Sequence, residues 1–162
     1  MTDWIDIFFK AFWCGWAALG FGILFNVPVK ALFAIWIGGA IAGLIKFTVL
    51  LAAPSYVILA PFLSALSVAV FSISVAQIRH EPPMIFSIPS VITLVPGVFA
   101  YRTMLGLMKL TENVGTNYML TLSKTVHNGV TTLFIIMSIA IGVAIPMNIM
   151  RKNIGKKFQL RK

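Results

Sequence analysis

The sequence predicts an all-α protein, a polytopic membrane bundle of about five transmembrane helices whose fourth helix is broken by proline and glycine. Three observations predict it. Of the 162 residues, 59% are apolar and only 10% are charged, whereas an average soluble domain holds roughly 45–50% apolar and about 25% charged residues. A core of this size cannot hide such an excess, so a water-soluble monomer is excluded. Residues 47–78, 82–101 and 125–150 contain no Asp, Glu, Lys or Arg, and each run reaches the roughly 20 residues a helix needs to cross about 30 Å of hydrocarbon. Finally, the pair Pro96-Gly97 falls at the middle of the fourth apolar stretch.

The apolar segments are Ile5 to Phe25, Ala31 to Ala53, Ser55 to Ile78, Phe86 to Met108 and Gly129 to Met150. The first two are separated by Asn26 to Lys30 and the third and fourth by Arg79 to Pro83, connections short enough for antiparallel neighbours. Pro28, Pro54, Pro82 and Pro83 stand at or near segment boundaries, where a missing backbone donor costs least. The second segment carries Lys46, so a four-span reading that demotes it stands beside the five-span one. Lys109 to Asn128 mixes charge with Tyr118, Leu120 and Leu122, and reads either as an interfacial segment or as an extension of the last helix. Small residues recur at helical spacing at Cys14, Ala18 and Gly22, at Gly39 and Gly43, at Ala65 and Ala69, and at Ser138 and Gly142; such stripes let helices approach closely in lipid.

Charge sets the expected orientation. Arg151, Lys152, Lys156, Lys157, Arg161 and Lys162 crowd the last twelve positions, so residues 1–150 read as the transmembrane domain and 151–162 as a basic cytoplasmic tail facing anionic lipid. That tail accounts for much of the net charge of +9 without invoking nucleic acid. Five crossings then put Lys30 and Arg79 inside with it, and Lys109 and Lys124 outside. The positive-inside rule favours an outer N-terminus and an inner C-terminus. Asp3 and Asp6 replace the basic start of a cleaved signal peptide.

The fourth segment, IPSVITLVPGVFAYRTM, carries the chemistry the sequence offers. Pro96 has no N–H for the carbonyl of Ile92 and its ring clashes there, while Gly97 leaves the next dihedral unrestricted, so a break near the bilayer centre is expected. Unsatisfied backbone survives in hydrocarbon only when buried in protein or beside water. Discontinuous helices in transporters aim a positive half-helix N-terminus at anionic groups. Here Pro96, Gly97, Val98, Phe99, Tyr101, Arg102 and Lys46 are the candidate substrate-binding residues, and Pro89, Pro96 and Gly97 the candidate hinge. The competing readings are a kink used only for packing, and cations that snorkel to the headgroups. Asp3, Asp6, Glu81 and Glu112 all fall in flanks or loops, leaving no intramembrane carboxylate for a proton relay.

Catalysis is not predicted. The sequence has no paired-cysteine metal spacing, no HExxH and no glycine-rich phosphate loop, and it calls for no cofactor. Cys14, the single cysteine, sits between Trp13 and Trp16 as a packing residue, and no intrachain disulfide is possible. His80 and His127 read as loop or interfacial residues.

Phe25-Asn26-Val27-Pro28 followed by Lys30-Ala31-Leu32, the central IPSVITLVPGVFAY from Ile88 to Tyr101, and the closing AIGVAIP from Ala140 to Pro146 together resemble the threonine/serine exporter (ThrE) family, in its YjjB-like small-subunit branch. The resemblance implies a bacterial inner-membrane exporter of small carboxylate-bearing metabolites, threonine and serine in some relatives and succinate in the two-subunit YjjP/YjjB type. It implies a larger subunit of the same family as partner, and it maps the central motif onto Pro89, Pro96, Gly97 and Tyr101. The alternative function is a non-transporting membrane scaffold.

Overall fold

Six α-helices follow one another among the described residues: α1 (Thr2–Leu24), α2 (Val29–Ala52), α3 (Leu59–Arg79), α4 (Met84–Ile92), α5 (Gly97–Glu112) and α6 (Tyr118–Gln159). The computed structural model describes residues 2–112 and 118–159, with side chains for 4–111 and 118–150. Four helices are long and apolar enough to cross a membrane, Trp4–Leu24, Val29–Ala52, Leu59–Arg79 and Tyr118–Met150. A fifth crossing is formed if Met84–Ile92 and Gly97–Thr111, bent by 53° at the break between them, count as one span. The architecture is the expected polytopic helical bundle, with no strand among the described residues.

Several helix boundaries differ from the expected segments. The third helix begins at Leu59 rather than Ser55, because Pro54 starts a stretch of turns in which Tyr56 N–H donates to the Ala53 carbonyl at 3.1 Å. Of Lys109 to Asn128, residues 109–112 end α5 and 118–128 form the first turns of a 42-residue α6, as an extension of the last helix would, while 113–117 lie outside the described residues. The backbone of α6 continues through the expected boundary at residue 150 as far as Gln159. The side chains of the basic tail at 151–162 lie outside the described residues.

The connections on one end of the bundle close by the same device. Asn26 and His80 adopt left-handed backbone conformations, with φ of 55° and 59°. Val27 N–H reaches the Gly22 carbonyl at 3.1 Å and Glu81 N–H the Ala76 carbonyl at 3.2 Å. These six-to-one bonds satisfy carbonyls that a helix end leaves open. Pro28, Pro82 and Pro83 follow and prevent the helices from continuing. The Arg79 guanidinium then donates to the Lys30 carbonyl, tying the end of α3 to the start of α2.

Small residues set the packing. Ala18, Ala31, Ala34, Ile35, Ala76 and Phe86 form one buried cluster, and Ala42, Ala65, Val68, Val91, Leu94, Ile135 and Ile139 a second at the level of the break. Where α1 meets α2, a Cβ added at Gly39 would lie 2.8 Å from the Cys14 carbonyl, and one at Gly43 2.9 Å from the Cys14 Sγ. Where α3 meets α6, a Cβ at Gly142 would lie 2.8 Å from the Phe62 carbonyl, and Ser138 Oγ donates to the Ile58 carbonyl at 3.2 Å. These are the stripes the sequence marks, and they bring backbones into contact where lipid supplies no hydrophobic drive to association.

Gly39→Val is therefore expected to lower the melting temperature of the solubilised chain, with a cost of about 1–3 kcal/mol for overpacking a tight seam. Gly20→Ala, where an added Cβ meets nothing within 4 Å, serves as the control and should melt like the parent in the same thermal denaturation experiment.

Candidate functional site

The break lies at 93–96. Pro89 stands inside α4, almost wholly buried, and the helix continues past it to Ile92. The chain then tightens: Leu94 N–H donates to the Val91 carbonyl at 2.9 Å, Val95 N–H to Ile92 at 3.1 Å, and Gly97 N–H to Val95 at 2.9 Å. Thr93 Oγ1 donates to the Ser90 carbonyl at 2.8 Å. Regular bonding resumes with Ala100 N–H on the Pro96 carbonyl at 3.1 Å. Among the described residues the amides of Val98 and Phe99 have no backbone acceptor, and the carbonyls of Thr93 and Leu94 no backbone donor. Leu94, 1% exposed, plugs the break from the bundle side.

Leaving the break, α5 turns away from α4 and packs against α6. The contact is close: a Cβ at Gly106 would run into the Thr125 side chain, and one at Gly129 would lie 3.3 Å from Thr103 Cγ2. In the angle between this pair and the start of α3 lies a cavity of 550 Å³. Its wall combines Phe99 from α5, Phe62 from α3, Ser55 and Tyr56 from the connection before α3, and His127, Thr131 and Ser138 from α6. Apolar walls with a few placed polar groups are the usual composition of a small-molecule site. Thr131 Oγ1 donates to the His127 carbonyl at 2.7 Å and Ser138 Oγ to the carbonyls of Ile135 and Ile58 at 2.8 and 3.2 Å. Among the described residues, nothing takes up the His127 imidazole or the Tyr56 hydroxyl by hydrogen bonding.

The sequence-predicted residues part company here. Pro96 is buried at the break and Gly97 is the first residue of α5. Gly97 has no positive φ, and a Cβ there would meet nothing within 4 Å. Phe99 lines the cavity, whereas Val98, Tyr101 and Arg102 are exposed on α5 and do not line it. Lys46 lies on α2, half-buried, with its ammonium 5.9 Å from the centroid of the Phe47 ring. Ser55, Tyr56, His127 and Thr131 enter the site although the sequence does not single them out for it. No group of three or more His, Cys, Asp or Glu suited to hold a metal ion occurs among the described residues.

Fold and site together define a polytopic α-helical membrane protein in which an interrupted span adjoins a cavity of mixed polarity, the construction characteristic of membrane transporters. The model of the threonine/serine exporter (ThrE) family matches residues 10–149, and the chain belongs to that family. A protein of Haemophilus influenzae, described only as uncharacterized, is 28% identical over 129 residues, which cover 80% of this chain and 42% of that relative. The chain thus spans less than half the length of the relative it matches. No solved structure matches it.

If the cavity is wetted, a thiol placed in its wall should react from the aqueous phase. In a Cys14→Ser background, Thr131→Cys is expected to be alkylated by a membrane-impermeant maleimide about tenfold faster than Ile139→Cys, which would sit in the packed cluster. Mass spectrometry of timed samples reads the two rates. Equal rates would mean that the cavity is closed to water.

Proposed function

We propose that this chain is the small membrane subunit of a secondary exporter for small carboxylate-bearing metabolites, succinate or another dicarboxylate, or threonine and serine. The observation that carries the reading is the break at 93–96, which leaves the Val98 and Phe99 amides without backbone acceptors next to a 550 Å³ cavity, in a chain of an exporter family. Main-chain donors at the start of a half-helix suit a carboxylate, because the positive end of the helix dipole points at it.

A larger subunit of the same family is the proposed partner. The matched relative carries more than half its length beyond the region shared with this chain, and a second polypeptide would supply the counterpart here. Only 17% of the most apolar window of α6 is buried, and α5 exposes Val98, Tyr101, Met104, Leu107 and Met108, so both helices have apolar surface to give to lipid or to a partner. In the bacterial inner membrane the N-terminus would lie outside and the basic C-terminus in the cytoplasm, the orientation that the distribution of Lys and Arg favours. Alternating access would follow from movement of α5 against α1 to α4, with α6 packed on both and residues 93–96 as the flexible joint. Membrane lipid is the only other partner this reading requires.

Efflux of preloaded labelled succinate, threonine and serine from cells carrying this chain, the larger subunit, both or neither tests the proposal. Export is expected only with both. Phe99→Ala should lower it about tenfold, a loss of roughly 1.4 kcal/mol in transition-state stabilisation, while Val98→Ala, outside the cavity wall, should leave it unchanged. Full efflux without this chain, or normal efflux by a well-assembled Phe99→Ala variant, would favour the scaffold instead.

A further inference from the structure

A second place in the structure gathers chemistry that the cavity does not use. Lys10 on α1 and Lys46 on α2 both direct their ammonium groups at the ring of Phe47, at 5.5 and 5.9 Å from its centroid. Each lies well inside a candidate span. Lys10 is about 12 Å along α1 from Thr2, and Lys46 about 9 Å from the end of α2 at Ala52, at 1.5 Å per residue. Because the two helices run antiparallel, these depths are measured from the same end of the bundle. Lys46 also stands one turn beyond Ala42, which packs in one cluster with Leu94 of the break. The pair is therefore near the depth at which α5 swings away.

Neither lysine forms an ion pair among the described residues. Asp6, one turn before Lys10, is exposed and does not reach it. A single aromatic face attracts one cation by its quadrupole. A second cation on the same ring adds repulsion that low-dielectric surroundings strengthen. Intramembrane cations are costly and are as a rule matched by an anion or a polar cavity. The described residues supply no such anion here, and a negatively charged group that meets both ammoniums would complete the arrangement.

We infer that Lys10 and Lys46, converging on Phe47, form a binding site for an oxyanion, a carboxylate or a phosphate, held by charge-assisted hydrogen bonds from both ammonium groups. Two sources share that chemistry, the carboxylate of a small acid and the phosphate of an anionic lipid headgroup. A role for the site in export rests on the function proposed above. Occupancy of the site does not, because binding requires no transport.

The protein carries its own reporter. Cys14, the only thiol, packs against Gly43 one turn before Lys46, where an added Cβ would lie 2.9 Å from Sγ. The full chain is placed in phosphatidylcholine nanodiscs and Cys14 alkylation by N-ethylmaleimide is timed without ligand, with succinate and with uncharged succinamide. A second arm uses discs containing phosphatidylglycerol and no succinate. Thermal melting of the same samples gives an independent reading of binding. Succinate or phosphatidylglycerol is expected to slow alkylation about tenfold at saturation and to raise the melting temperature, and succinamide to do neither. The arm that responds identifies the source. Lys10→Gln and Lys46→Gln should abolish both effects, while Lys46→Arg, which keeps the charge, should retain them. Absence of both effects in both arms, or their persistence in the two Gln variants, overturns the site. Binding by the parent chain, its loss in the Gln variants and unaltered efflux by those variants would leave the site standing and remove it from export.

Discussion

Inside a bilayer every main-chain N–H and C=O needs a partner from the protein or from trapped water, and this requirement shapes the break between α4 and α5. Pro96 cannot donate to Ile92, so the ladder must stop and be repaired locally. Three short-range backbone bonds and the Thr93 hydroxyl take up most of the loss. Leu94 seals the bundle side with an apolar side chain. What remains open is confined to two amides and two carbonyls around the turn. A defect of this kind is tolerable in hydrocarbon where it adjoins a cavity that carries polar groups in its wall. The cavity and the break are thus two parts of one solution.

The rest of the bundle is built to hold that arrangement without help from water. Gly39, Gly43 and Gly142 let backbones touch, which multiplies dispersion contacts where burial of apolar surface brings no gain. Hydroxyls lie in the same seams. Ser64 and Ser90 return their protons to carbonyls one turn back, and Ser90 also reaches the Ile35 carbonyl across the interface at 3.2 Å. Ser72 and Ser87 are fully buried with no hydrogen-bond partner. A buried hydroxyl left unpaired costs energy, so α3 and α4 each carry one such cost among the described residues.

The fold was legible in the sequence because its determinants are local. Uncharged runs give spans, prolines give boundaries, and small residues at helical spacing give seams. The break was legible for the same reason, since Pro96 removes its own donor wherever it stands. The site was legible only in part. Phe99 follows from its place in the first turn of the second half-helix, but which face of α5 meets the cavity depends on α6, and that depends on where α6 begins. Once Lys109 to Asn128 is divided between helices, His127, Thr131 and Ser138 fall on one face of α6, and the same division turns Val98, Tyr101 and Arg102 outward. The encounter of Lys10 with Lys46 was not legible at all. It requires the register between two helices, which Gly39 and Gly43 fix by close approach and which no spacing within either helix encodes.

The length of α6 carries the last consequence. Its described apolar stretch, Tyr118–Met150, has 33 residues and runs about 50 Å, against about 30 Å of hydrocarbon. A helix that much too long must tilt steeply or leave the bilayer at one end, and its neighbours differ along its length. Near Thr125 and Gly129 it packs on α5, and near Gly142 on α3. The change of neighbour occurs beside Ser138, in the wall of the cavity and at the level of the break. Different faces of α6 therefore serve two bodies, the α1 to α4 bundle and the α5 helix, and the cavity lies where they meet. Any rotation of α5 acts first on residues 93–96 and on the lining residues Phe99, His127 and Thr131. The joint where the chain bends most easily is the one whose movement changes the cavity most.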